Sequence, residues 1–197
     1  MTHRTALAAL IGGALSLAAM AQTKNEWTLK PSGKPGFVQL SIERASDGDR
    51  NHWQTSSPVP WSGLRGITEK QLEAGNGGAV RFQIVRDAGT LQCDGVAHNG
   101  RALGSFTFQA NANYAAQLAS AGFRMTPKHS AIDYFLMDVS LDFARAVRQY
   151  DVSATNADLF ALRIHGVDMA YLQKLQSQGL RNLDSKKIVQ MKVHGID

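Results

Sequence analysis

Hydrophobic and polar residues alternate with a period of two in the first half of the chain. The alternation runs through residues 38–42, 80–84, 90–94 and 105–108. A period of two places one set of side chains on a buried face and the other in solvent, which is typical of half-exposed antiparallel strands. The sequence therefore predicts an antiparallel β-sheet domain over residues 26–109.

Turns and loops separate these predicted strands. Asn99-Gly100 predicts a type I′ hairpin turn, because both central residues of that turn need positive φ. Residues 47–49 and 87–89 are predicted to be further turns, since they combine Asp with Gly.

Two stretches rich in Pro, Gly and Ser, residues 55–66 and 75–79, are predicted to be loops. Thr68 and Gln71 have capping-box spacing and predict one short helix between the two loops. All three tryptophans lie in this half of the chain, and we expect them to help fill its core: Trp27, Trp53 and Trp61.

The period of the hydrophobic positions becomes helical after Gln109. A first helix is predicted within residues 111–122, where it would stop at a glycine. Thr-Pro at 126–127 is a helix-start signal, and apolar side chains recur every three or four positions over residues 132–147. This pattern predicts one long helix that ends near Tyr150.

The last third of the chain contains a short repeat. A shift of 29 residues aligns residues 159–168 with residues 188–197. Three positions recur identically, as His165 and His194, Gly166 and Gly195, and Asp168 and Asp197. The sequence therefore predicts one repeat unit at residues 155–183 and a partial one at residues 184–197.

Each predicted unit begins with a capped helix that ends at His-Gly, where glycine adopts the left-handed conformation and histidine lies at the negative helix end. An Asp-capped second helix then follows. Two short helices cannot bury their apolar faces alone, so we expect neighbouring units to stack. The end of the partial unit is either covered by the sheet domain or left for a partner.

The helical domain, residues 111–197, is too short to stand as a separate solenoid, and we expect it to pack against the sheet. The predicted fold class is α+β, with an antiparallel β-sheet domain followed by short helices.

Residues 1–21 have the features of a signal peptide. A positive charge at Arg4 precedes an uncharged stretch, and Ala19-Met20-Ala21 places small residues at the −3 and −1 positions. We expect cleavage near Ala21, a periplasmic or secreted protein, and no membrane span afterwards. Retention of the segment as an anchor is the open alternative.

The composition indicates a folded domain, because 44% of the residues are hydrophobic and eight are phenylalanines. The formal net charge is +5, but basic residues are spread evenly and form no cluster. Nucleic-acid binding requires basic residues gathered on one face. We therefore expect no nucleic-acid partner.

Three segments, residues 80–95, 104–123 and 162–180, together resemble the extracytoplasmic region attached to membrane-bound zinc metallopeptidases of the beta-lactam-sensor type, and stand-alone exported relatives. The sequence lacks the His-Glu-x-x-His zinc motif of those peptidases, so no catalytic residue is carried over. The resemblance implies only the accessory, sensing or interaction part of that architecture.

The candidate chemistry is sparse. His165 and His194 are interpreted as helix-end residues, with metal binding or pH sensing as the alternative. Cys93 lies on the apolar side of a predicted strand and is interpreted as a buried thiol. We expect no catalytic residue, cofactor or metal.

These observations favour a non-enzymatic binding or sensing module that acts through contacts with a protein of the cell envelope. The candidate interaction or sensing residues are His165, His194, Trp53 and Trp61. The alternative is a cell-envelope hydrolase or inhibitor whose site is built from loops 52–66 and 75–79. Direct sensing of a ligand on the sheet face is a third hypothesis.

Overall fold

The computed structural model describes residues 24–45, 53–74 and 77–196. The predicted signal peptide, the turn at 47–49, His52 and Asp197 lie outside these residues. Six strands are present: β1 (Lys24–Pro31), β2 (Phe37–Ala45), β3 (Trp53–Pro60), β4 (Gly78–Arg86), β5 (Gly89–His98) and β6 (Arg101–Ala110). They form one antiparallel sheet.

The helices follow the sheet, apart from a 3₁₀ turn (Trp61–Gly63) and α1 (Glu69–Glu73) inserted between β3 and β4. The others are α2 (Tyr114–Ser120), α3 (Ala131–Leu136), α4 (Leu141–Tyr150), α5 (Asn156–Ile164), α6 (Met169–Ser177) and α7 (Ser185–Val193). The predicted α+β class is confirmed. Within the described ranges, no helix is both long and apolar enough to cross a bilayer.

The strand order is β3-β2-β1-β6-β5-β4, so the sheet consists of two three-stranded meanders joined where β1 pairs with β6. The predicted hairpin turn lies between β5 and β6, where Asn99 has φ of 50° and Gly100 has φ of 73°. The predicted capping box of α1 is also present, with Thr68 and Gln71 bonding reciprocally.

The prediction of loops at residues 55–66 and 75–79 is wrong where it covers β3 and the first residues of β4. Strand β3 lies at the sheet edge, and Val59 is the only buried side chain among residues 54–60. An edge strand that buries only one side chain needs few apolar residues. Because β3 contains serines and prolines instead, its composition is that of a loop.

Both edges of the sheet resist further strand pairing. Pro58 and Pro60 lie two positions apart in β3, so their backbone nitrogens point to the same side of the strand. Proline cannot donate a hydrogen bond to a neighbouring strand. We therefore assign these nitrogens to the side that faces away from β2. At the other edge, Arg65 and Gln83 exchange two backbone hydrogen bonds of 2.8 Å and cover part of β4.

One face of the sheet is buried and the other is open. Helices α1 and α3 contact β5 and β6, and the buried residues of the sheet and of the helices form one continuous core cluster. The helical part therefore packs against the sheet, as we expected. The open face carries alternating polar side chains together with Val96 and Leu103, which lie opposite each other.

The junction between the two meanders is closed by an indole and two glycines. Trp27 is 1% exposed, lies opposite Gly104, and donates from Nε1 to the Ser105 carbonyl at 2.8 Å. Gly104 in turn lies opposite Gly95. A Cβ atom on Gly95 would lie 2.7 Å from the Trp27 ring and 2.1 Å from the Leu103 carbonyl oxygen. Position 95 therefore accommodates only glycine, which has a hydrogen atom in place of a side chain.

The predicted long helix over residues 126–150 is wrong, because two helices, α3 and α4, occupy this region. Ser130 begins α3 with a capping box, and Ser140 begins α4 by accepting from the Phe143 amide. Asp138 between them has φ of 52°, which no helix interior tolerates. The apolar spacing is preserved across the break, so periodicity alone does not reveal it.

The two segments related by the 29-residue shift have the same local structure. Helices α5 and α7 each span nine residues and begin at a capping side chain, Thr155 or Asp184. His165 and His194 are the C-cap residues, and each is followed by a glycine with φ near +70°, at 73° and 64° respectively.

Asp151 ties the start of α7 to the end of α4. Its carboxylate accepts hydrogen bonds from the amide and hydroxyl groups of both Ser153 and Ser185. Partial burial alone would raise the pKa of Asp151, but these hydrogen bonds outweigh it and lower the pKa from 3.8 to about 2.

A depressed pKa in the folded state means that Asp151 stabilises the fold above its unfolded pKa of about 4, and that this contribution is lost as the pH falls towards 2. We expect wild type to be more stable than Asp151→Asn at pH 5, with the difference shrinking between pH 4 and 2. Urea unfolding across this range measures it. Asp142→Asn, in an exposed ion pair on α4, is the control. A difference that stays constant with pH contradicts the assignment.

Candidate functional site

His165 and His194 are solvent-exposed and lie at the same end of the helical layer. Helices α5 and α7 contact each other, and a Cβ atom on Gly166 would lie 3.9 Å from the Lys192 side chain. The ends of the two helices therefore form one surface. We call residues 164–166 and 192–196 the His-Gly surface.

Large apolar side chains are exposed on the His-Gly surface. Ile164 is 64% exposed and Val193 is 59% exposed, and these two residues are equivalent under the 29-residue shift. Ile196 is 51% exposed, whereas its equivalent Val167 is fully buried. Three of the seven large apolar residues that the described chain exposes thus belong to this surface.

The backbone of the His-Gly surface is held by its neighbours. The Tyr171 hydroxyl on α6 donates to the Ile196 carbonyl at 2.8 Å, and the Lys192 ammonium lies 4.4 Å from the centre of the Tyr171 ring. The C-terminal part of the surface is therefore attached to α6 through Tyr171. In the part of the chain that the structure covers, no three His, Cys, Asp or Glu side chains come together at metal-binding distance.

Trp53 and Trp61 are not brought together. Trp53 is the first residue of β3 and its backbone pairs with Arg44, whereas Trp61 follows the other end of the same strand. Trp61 is held by its backbone, whose N–H donates to the Gly36 carbonyl and whose carbonyl accepts from Leu64, both at 3.1 Å.

A two-part cleft surrounds Trp61. The larger cavity, about 730 Å³, lies among residues 61–71 and Gly36, and the smaller, about 210 Å³, lies among residues 31–37 and 69–73. Trp61 and Glu69 line both cavities. We call this the Trp61 cleft. Sequence reasoning named Trp61, but it missed the contribution of residues 31–37, which only the β1–β2 hairpin brings to this place.

The Trp61 cleft has an apolar interior and charged rims. Leu64, Ile67 and Leu72 are buried at its walls, whereas Glu69 and Glu73 are exposed. The indole Nε1 of Trp61 is buried and has no hydrogen-bond acceptor in the protein. Lys34 lies on the opposite rim, with its ammonium 3.9 Å from the centre of the Phe37 ring.

An ionic cluster that the sequence did not predict fastens the helices to the sheet. Asp138 forms an ion pair with Arg86 of β4, with 3.2 Å between nitrogen and oxygen, and accepts a hydrogen bond from Arg163 of α5 at 2.9 Å. Arg163 also donates to the carbonyls of Met137 and Val167. Burial lowers the pKa of Arg86, and the charge of Asp138 opposes that effect. The guanidinium groups of Arg86 and Arg163 thus make contacts that hold the fold together.

Cys93 is fully buried in β5, as the alternation predicted. Burial is the main cause that raises the pKa of its thiol, and the nearby Asp94 raises it further. The thiolate needed for nucleophilic or redox chemistry is therefore strongly disfavoured.

The chain was compared with protein-family models, with curated protein sequences and with solved structures, and none of these comparisons finds a match. The resemblance to the extracytoplasmic region of beta-lactam-sensor-type metallopeptidases stays a prediction from the sequence.

Proposed function

We propose that the protein is a non-enzymatic binding or sensing module, periplasmic or secreted, that contacts another protein through its His-Gly surface. The observation that carries this proposal is the exposure of Ile164, Val193 and Ile196 at the ends of two helices that contact each other. Each is more than half exposed, although burial of such a side chain is worth about 2 kcal/mol. Neighbouring exposed apolar residues with polar neighbours are typical of protein interaction sites.

The surface also supplies polar groups around its apolar residues. His165, His194 and Lys192 carry donors beside Ile164 and Val193. Hydrogen-bonding groups at the rim of an apolar contact give it orientation and specificity. The combination suits a protein partner better than a small molecule, since no residue of this surface lines the cavities of about 730, 310, 220 and 210 Å³ found elsewhere in the described chain.

The proposal is tested by substitutions that leave the core intact. Deleting residues 155–197 would remove buried Leu159, Leu162 and Leu172 and unfold the helical layer, so we choose Ile164→Ser combined with Val193→Ser. We expect the wild-type protein to capture a defined partner from envelope extract after chemical crosslinking, and the double variant to lose more than 90% of it, as about two buried contacts are removed.

The matched control is Val152→Ser, because Val152 is 83% exposed and lies outside the His-Gly surface. It should capture the partner as wild type does. Equal capture by the double variant would show that this surface is not the interaction site.

A second candidate function, a cell-envelope hydrolase or inhibitor, is supported by the size of the Trp61 cleft. Its larger cavity of about 730 Å³ would accept a substrate, and Glu69 is the carboxylate that lines both parts. Hydrolysis of peptidoglycan by the purified protein, lost in Glu69→Gln, would favour this function over the binding module.

A further inference from the structure

We propose that the open face of the sheet packs against the open face of a second copy of this chain and forms a twofold symmetric dimer. This inference goes beyond the proposed function, because it concerns another surface and another partner. Helices α1 and α3 cover the opposite face of the sheet, and the His-Gly surface belongs to α5 and α7. The two contacts are therefore separate.

A row of apolar and hydroxyl side chains crosses the middle of the open face. Leu103 of β6 lies directly opposite Val96 of β5 on one side and Thr28 of β1 on the other. Ser41 of β2 continues the row beyond Thr28. Leu103 and Val96 are both more than half exposed, and adjacent exposed apolar side chains are typical of an interface. We call these four residues the central row.

Side chains of opposite charge lie on the two sides of the central row. Two positions along the strands in one direction, or about 7 Å away, is an acidic row that consists of Glu26, Glu43 and Asp94. Two positions in the other direction is a basic row that consists of Lys30, Arg101 and His98. Asp94 also pairs with Arg81 of β4, so the acidic row is most negative at its β1 and β2 end.

The two charged rows make the open face complementary to itself. A twofold axis that runs along the central row places this row on its own copy and reverses the direction of every strand. The acidic row of each copy then lies over the basic row of the other. Glu26 faces Lys30 of the second copy, and Arg101 of the second copy faces Ser105, which lies between Glu26 and Asp94.

The arrangement of charges favours a second copy over other occupants of the open face. A partner that carries one sign of charge matches one charged row and is repelled by the other, whereas a second copy matches both. A twofold axis parallel to the strands would place like charges on each other, so the axis along the central row is favoured. The strands of the two copies then remain aligned within about 30°, as in other pairs of packed sheets.

The open face is large enough for a specific dimer. Its six strands have eight to ten residues each. With strands about 4.8 Å apart and a rise of about 3.4 Å per residue, the face covers about 650 Å². Two copies bury about twice this area, which lies within the range of about 1,200–2,000 Å² for specific interfaces. Because both edges of the sheet resist strand pairing, association through the face is favoured over association through an edge.

Sedimentation velocity of the purified protein between about 5 and about 200 µM tests whether this dimer forms. We expect a reversible monomer–dimer equilibrium with a dissociation constant on the order of 10 µM. Leu103→Lys should raise this constant at least about tenfold, because Leu103 lies at the twofold axis and the change acts on both copies. Val152→Lys is the matched control, since Val152 is an exposed valine outside the sheet, and it should dimerise as wild type does.

An exchange of charges tests the orientation of the two copies. Glu26→Lys and Lys30→Glu should each weaken the dimer about threefold to tenfold, because each places like charges on facing rows. The double variant, Glu26→Lys with Lys30→Glu, should return to within about threefold of wild type. Circular dichroism shows whether each variant is folded. Both positions and Leu103 are exposed in the monomer, so these changes leave the core intact.

Four results would overturn the inference. The first is a protein that stays monomeric at about 200 µM, and the second is a folded Leu103→Lys variant that dimerises as wild type does. The third is a double charge variant no tighter than the weaker single variant, which would exclude the packing of acidic rows on basic rows. The fourth is a dimer that Ile164→Ser with Val193→Ser abolishes and Leu103→Lys does not, which would assign self-association to the His-Gly surface.

Discussion

Gly95→Ala and Gly104→Ala are each expected to lower the free energy of unfolding by about 3 kcal/mol. A Cβ atom on Gly95 would lie 2.1 Å from the Leu103 carbonyl oxygen, and one on Gly104 would lie 2.0 Å from the Asp94 carbonyl oxygen. Relief requires separation of β5 from β6 at the point where Trp27 covers both glycines. Because these contacts are to backbone, a change of rotamer cannot remove the clash.

Chemical denaturation with both fluorescence and circular dichroism measures this loss. Gly78→Ala in β4 is the matched control, since its added Cβ atom would meet nothing within 4 Å and its φ is ordinary. The control should be unchanged or slightly more stable. Wild-type stability in Gly95→Ala would mean that the two strands lie further apart than described here.

Arg163→Ala is expected to lower the free energy of unfolding by about 2 kcal/mol. Its guanidinium bonds the Asp138 carboxylate and two backbone carbonyls at the break between α3 and α4 and at the end of α5. The side chain is only 17% exposed, so water does not readily replace these bonds. Arg163→Lys should recover less than half of the loss, because an ammonium cannot reach three acceptors in one plane.

Lys192→Ala is the control for this prediction, because Lys192 is equivalent to Arg163 under the 29-residue shift. Lys192 lies over the Tyr171 ring, and its removal should cost less than about 1 kcal/mol. Thermal unfolding of the three variants side by side gives the ranking. If Arg163→Ala and Lys192→Ala lower the stability equally, the ionic cluster around Asp138 contributes no stability beyond that of helix packing.

The sequence predicts the elements whose signal is local. The alternation in β2, β4, β5 and β6 follows directly from one buried sheet face, and the caps of α1, α5, α6 and α7 follow from side-chain chemistry within four residues. Strand β1 shows the same alternation, with buried Trp27 and Leu29 between exposed Glu26, Thr28 and Lys30, although the sequence prediction did not single it out. Strand β3 gives no such signal because it lies at an edge.

The candidate sites depend on contacts between distant segments, which explains why sequence reasoning found them only in part. Trp61 was named, but Lys34 and Phe37 reach the cleft through the β1–β2 hairpin. The two histidines were named, whereas the equivalent pair Ile164 and Val193, which the structure exposes, was not. The exposed face of a helix is set by what packs against it, and one sequence does not show that.

The β1–β6 junction also decides how the chain can fold. Each meander is built from neighbouring strands and can form early, but Glu26 must find Ser105 across nearly the whole sheet sequence. Loop-closure entropy makes that encounter slow. The indole of Trp27 therefore packs against the two glycines only after both meanders have formed. Until then, β1 and β6 remain two unpaired edges of half-sheets, and the chain is most exposed to mispairing with other copies during that interval.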